Sequence, residues 1–122
     1  MTYAELIAQL ARQLRLPHLV PGPEGHCALQ FDDIVVSFTP VPTAGAFDVE
    51  GRVGRVDVAD PAVAVALAQA REGISHLAWD SAGRVWLRQR FFLQVLSFTH
   101  FFRTLERFVN QVDACRARLP LI

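Results

Sequence analysis

The stretch Ala62-Val63-Ala64-Val65-Ala66-Leu67-Ala68 contains no polar residue, and it restricts the possible folds more than any other segment of the chain. Asp60-Pro61 in front of it is a helix start, an N-cap acid followed by proline at the first helical position. The pattern predicts a helix to about Arg71, ended by Gly73. A helix that is apolar all round has to be covered all round. One small sheet covers one side only. The other side is left to the last helix of the chain or to a second copy of the protein. Small side chains let two such helices approach closely, and the prevalence of symmetric small oligomers favours the second copy.

The rest of the chain supplies that small sheet and its other helices. Residues 2–16 read as an amphipathic helix: Thr2 and Glu5 form a capping-box pattern, Leu6, Ile7, Leu10 and Leu14 share a face, and Pro17 stops it. Three prolines and two glycines make 17–25 a loop. Cys27, Leu29 and Phe31 alternate with Ala28 and Gln30, Asp32-Asp33 marks a turn, and Ile34, Val36 and Phe38 alternate again. Phe47, Val49 and Val53 suggest a third strand broken by Gly51 and Gly54. A second hairpin, 74–79 with 84–89, turns at Asp80-Ser81-Ala82-Gly83. From Phe91 to Arg118 a long helical pattern carries Val95, Phe98, Phe102, Leu105, Val109 and Val112 at three-four spacing, widened by Phe91, Phe92, Phe101 and Phe108. The expected fold is α+β, in the order α-β-β-β-α-β-β-α, a twisted antiparallel sheet packed against helices, forming a homodimer.

At 122 residues the chain fits one domain, spanning 1–122. Its apolar fraction of 52% argues against disorder and is generous for a monomer. Formal net charge is zero, which gives no general argument for nucleic acid or an anionic membrane as partner. The mixture Trp86, Arg88, Arg90, Phe91, Phe92 could stack on bases, but a packed hairpin-to-helix junction accounts for it more simply. There is no 18-residue apolar run. The first residues lack a basic region followed by an apolar core, so a cytoplasmic location is expected.

Catalytic equipment is not apparent. His18, His26, His76 and His100 have no metal-ligand spacing, and no C-x-x-C or H-E-x-x-H occurs. Cys27 and Cys115 are expected to be structural thiols rather than nucleophiles or a disulfide pair. Neither an enzyme nor a metal or other cofactor is expected. Apolar surface without catalytic groups is the profile of a binding module.

The element order, together with Ala4-Glu5-Leu6-Ile7-Ala8-Gln9-Leu10-Ala11-Arg12-Gln13-Leu14, Leu16-Pro17, Gly25-His26-Cys27-Ala28-Leu29-Gln30-Phe31-Asp32, Ile34-Val35-Val36-Ser37-Phe38, Leu77-Ala78-Trp79-Asp80, Gly83-Arg84-Val85-Trp86-Leu87 and Phe102-Arg103-Thr104-Leu105-Glu106-Arg107-Phe108, resembles the class I chaperones of bacterial type III secretion, the Tir chaperone family. The resemblance covers nearly the whole chain. Members are usually acidic, whereas this chain has an isoelectric point of about 6.9. The resemblance implies a homodimeric, ATP-independent chaperone that holds the N-terminal segment of a secreted effector in extended form. It implies a dimer interface on the middle helix, drawn from Val63, Ala64, Leu67, Ala68 and Arg71. It implies effector pockets on the first helix and first strands, drawn from Leu6, Leu10, Leu14, Leu29, Phe31, Val36 and Phe38, some of which belong to the core. Three alternatives remain: a carrier of a small apolar ligand, in a cavity lined by Phe31, Phe38, Phe98 and Phe102, an enzyme using Cys27 or Cys115, and a regulatory adaptor of the same fold.

Overall fold

The structure is a computed structural model that describes residues 1–69 and 75–122. Helix α1 (Tyr3–Leu14) begins where the Thr2 hydroxyl accepts the Glu5 amide at 3.1 Å. It ends two residues earlier than the proline suggests. Arg15 turns left-handed (φ 56°) and the Leu16 amide donates back to the Ala11 carbonyl at 2.8 Å, so the chain has left the helix before Pro17. Leu6, Ile7 and Leu10 are fully buried.

Strands β1 (Cys27–Phe31), β2 (Ile34–Val41) and β3 (Ala46–Arg55) form the expected meander. Asp32 adopts a left-handed φ of 54° in the first turn, a conformation aspartate tolerates better than most residues. The glycines do not break β3. Gly51 stays in register opposite Val36 and Leu87, and a Cβ there would lie 2.5 Å from Val112 Cγ2. Its missing side chain lets a helix approach the sheet. The pairing slips between Arg52 and Gly54, a bulge that keeps the strand continuous.

Helix α2 (Pro61–Gln69) follows, with the Asp60 carboxylate accepting the Ala62 amide at 3.0 Å. The expected end at Gly73, the start of the second hairpin at Ile74, and Arg71 lie outside the described residues. Strands β4 (His76–Trp79) and β5 (Arg84–Phe92) complete an antiparallel sheet of order β1-β2-β3-β5-β4. The connection through α2 carries the chain to the far edge, and the hairpin returns it beside β3.

The last helix differs most from expectation. Phe91 and Phe92 are strand residues, paired with Phe47 and Ala46, rather than the start of a helix. A 3-10 turn over 93–95 follows, and α3 (Phe98–Arg118) starts where Ser97 Oγ accepts the His100 amide. Its buried stripe is Phe101, Leu105, Phe108, Val112 and Cys115. Phe98, Phe102 and Val109, expected in that stripe, are half-buried on its flank. The core lies between this stripe, α1 and the inward sheet residues Val36, Phe38, Phe47, Val49, Val85 and Leu87.

Candidate functional site

β1 pairs only with β2, and among the described residues no strand covers its outer edge. Hollows with mixed, partly apolar linings lie against it or close by. Leu16, Leu19 and Val20, from the segment after α1, join Cys27 and Leu29 around a hollow of about 340 Å³. Leu16 and Leu19 also line a second hollow of about 400 Å³ along α1, with Ala8 and Ala11. At the other end of β1, Phe31, Phe102, Leu105 and Val109 line an open hollow of about 210 Å³ together with Asp32, Glu106 and Asn110. An unpaired edge offers main-chain N–H and C=O groups to an added strand, and successive side chains of that strand alternate between faces. The arrangement suits capture of an extended polypeptide.

The residues expected in the pockets divide by depth. Leu6, Leu10, Val36 and Phe38 have no exposed surface, and Leu29 is 8% exposed. They sit in the core beneath the hollows. Leu14 and Phe31 are half-buried and keep surface. Leu16, Leu19 and Val20 escape the sequence reading because they fall in a proline-rich loop. Their signal is three large apolar side chains in a segment that a solvent-exposed loop would fill with polar ones.

α2 presents a second surface. Val63 and Leu67 point into the protomer's own core, while Ala64 and Ala68 face outward beside Ala62 and Val65, the last of them 56% exposed. Over about two turns the outer side of the helix is thus apolar and exposed.

The reactive groups are quiet. Burial pushes the Cys27 thiol up, against a weaker opposing effect of the Tyr3 hydroxyl at 3.6 Å, and burial also pushes up Cys115. Thiols held protonated are poor nucleophiles. Burial raises Tyr3 as well, and its hydroxyl donates to the Gly25 carbonyl at 2.8 Å. Among the described residues no cluster of three His, Cys, Asp or Glu side chains could hold a metal. Of the four rings named for a small-ligand cavity, Phe38 and Phe98 pack on Phe101, with centroids at 6.4 and 6.3 Å, while Phe31 and Phe102 line one hollow.

Strand alternation also separates the aromatic–basic mixture. Phe91 is core, while Trp86, Arg88 and Arg90 stand on the open face of the sheet. There Arg90 grips Asp48 at 2.8 and 3.1 Å, and Arg88 meets Glu50 at 3.2 Å. The hydrogen bonds from Arg90 hold the Asp48 carboxyl below the usual range, against partial burial that pushes it up. A depressed carboxyl contributes stability above its unfolded-state value and loses it as pH falls through the folded-state value. Arg90 is half exposed, so water screens the pair. Asp48→Asn is therefore expected to cost only about 0.5–1 kcal/mol at neutral pH. Denaturant midpoints of the two proteins should converge as pH falls through the lowered folded-state value of Asp48.

A model of the Tir chaperone protein (CesT) family matches residues 5–116. The chain belongs to this family. No curated protein gives a significant sequence match. Among solved structures, a chain of the ExsC–ExsE complex superposes with a TM-score of 0.81 at 22% identity, over 98% of both chains. A chain of the HopA1–SchA chaperone–effector complex gives 0.76 at 18% identity, over 94% of this chain and 93% of that one. The structure of the Yersinia pestis type III secretion chaperone SycH with a stable fragment of YscM2 gives 0.74 at 19% identity, over 93% and 99%. At such identities the likeness is one of fold. It places this CesT-family chain, with its five-stranded antiparallel sheet and three helices, in the α+β architecture that its element order predicts.

Proposed function

We propose that the chain is a type III secretion chaperone that binds the N-terminal segment of a secreted effector in extended form, keeping it soluble and competent for secretion. The observation that carries this reading is the edge of β1 that no described strand pairs, with one hollow against it and a second beside that one along α1, in a chain of a chaperone family. Residues 1–122 act as one such domain, in the bacterial cytoplasm, without ATP, metal or catalytic residues. Two structures of the same fold come from chaperones with a bound effector or protein fragment, which supports the reading.

In this reading Leu14, Leu16, Leu19 and Phe31 touch the client, and Leu6, Leu10, Leu29, Val36 and Phe38 form the rigid floor beneath. Ordering a long segment is entropically unfavourable, so the contact has to be extensive. A homodimer joined through the outward face of α2, with Ala64 and Ala68 at its centre, offers two such edges.

Leu19 lines two hollows and is only partly buried, so Leu19→Asp is expected to weaken client capture by about tenfold or more with a small change in thermal midpoint. Leu10→Asp, in contrast, should unfold the protein, because Leu10 has no exposed surface. Capture should persist in ATP-free buffer and depend weakly on salt, since the net charge is zero. Hydrogen exchange on the complex should show protection spread along the client and over α1 and β1. Protection of the client in one compact block, or confined on this chain to β4 and β5, rules out the extended mode.

A further inference from the structure

The inward side of β5 runs Val85, Leu87, Gln89, Phe91, and the polar member, Gln89, is 4% exposed. A buried amide is unfavourable unless it is hydrogen-bonded, so packing alone does not select glutamine there. Ser75, also 4% exposed, stands between Gln89 and Gln111 of α3, its Oγ 3.2 Å from one Oε1 and 2.8 Å from the other. A serine hydroxyl has one proton. It donates to one amide oxygen, and the other amide, turned over, donates to the serine oxygen. In either arrangement the glutamine that accepts from Ser75 keeps both N–H groups for a further acceptor.

These three side chains line a cleft of about 430 Å³ between β5, the 93–95 turn and α3. Its rim is apolar and open: Phe92 is 52% exposed and Val95 84%. His100 and Arg107 also line it, as does Arg90, already held by Asp48, and no carboxylate is among its described lining residues. In a chain of zero net charge, donors and positive charge are thus concentrated beside exposed apolar surface.

We infer that this cleft is a docking pocket for a protein segment in which an apolar side chain is followed by a carboxylate. The apolar side chain covers Phe92 and Val95. The carboxylate faces the Arg107 guanidinium and accepts from the free glutamine amide, the charge-assisted geometry that a positive, donor-rich cleft favours. β2 and β3 separate β5 from β1 in the sheet, so the pocket is distinct from the β1 edge and does not depend on how that edge is used.

The test is a nuclear magnetic resonance titration of isotope-labelled protein with three blocked pentapeptides, Gly-Ser-Leu-Asp-Gly, Gly-Ser-Leu-Asn-Gly and Gly-Ser-Ala-Asp-Gly. At about 1–10 mM, the range for so small a contact, the Leu-Asp peptide should shift the side-chain amide signals of Gln89 and Gln111. It should bind about fivefold more tightly than either control. Arg107→Gln should erase its advantage over the Asn peptide, and Val95→Ser its advantage over the Ala peptide. Both positions are exposed, so both variants should stay folded. Equal binding of the Asp and Asn peptides, shifts confined to β1 and residues 16–20, or no shifts at all would overturn the proposal.

Discussion

Phe101→Ala is expected to remove about 3–5 kcal/mol of stability, a large part of the roughly 5–15 kcal/mol available to a domain of this kind. The ring has no exposed surface and lies at the centre of an aromatic cluster, with centroids 5.3 Å from Phe91, 5.6 Å from Phe47 and 6.4 Å from Phe38. Those neighbours come from three strands, so a cavity there loosens the attachment of α3 to most of the sheet. The denaturant midpoint should fall while the slope stays constant. Phe102→Ala, one residue on, removes a half-buried ring and should cost only about 1–2 kcal/mol. Equal losses at the two positions would mean that the buried stripe of α3 is not the one described.

The contrast between Phe101 and Phe102 also marks where a sequence reading stops. Both the 98–102–105–109–112 and the 101–105–108–112–115 rows are apolar at three-four spacing, and periodicity does not choose between them. Gly51 chooses: the helix settles where a missing side chain on β3 admits Phe108 and Val112. That contact joins residues far apart in sequence. The same holds for Phe91 and Phe92, which are strand because β3 pairs with them, although their composition suits a helix equally well. The hairpins, α1 and the start of α2 are readable because period-two alternation and side-chain caps are local. Of the site, the first helix and first strand are readable as a region. Which residues floor the hollows and which face outward depends on depth, and depth is set by the packing of the helices against the sheet. Leu16 and Leu19 line the hollow at β1 because the loop after α1 folds along that strand, something no local pattern announces.

Val65→Asp is expected to leave the protomer folded and to abolish self-association. Val63 and Leu67 are 2% and 3% exposed and anchor α2 to the core, whereas Val65 points away, 56% exposed among alanines. The protomer therefore has little to lose at position 65. In a two-fold dimer built on this face, each substitution is repeated on the partner, so two like charges enter one desolvated contact. A single unpaired charge in such a place costs about 3–5 kcal/mol, which raises the dissociation constant by on the order of a hundredfold to several thousandfold. Sedimentation at tens of micromolar, about the range where weak dimers still form, should show a wild-type dimer and a variant monomer with an unchanged circular dichroism spectrum. Val63→Asp should instead unfold the chain, because that side chain is already inside it. A wild-type monomer at those concentrations, or a Val65→Asp protein that still sediments as a dimer, would place the subunit contact elsewhere or remove it altogether.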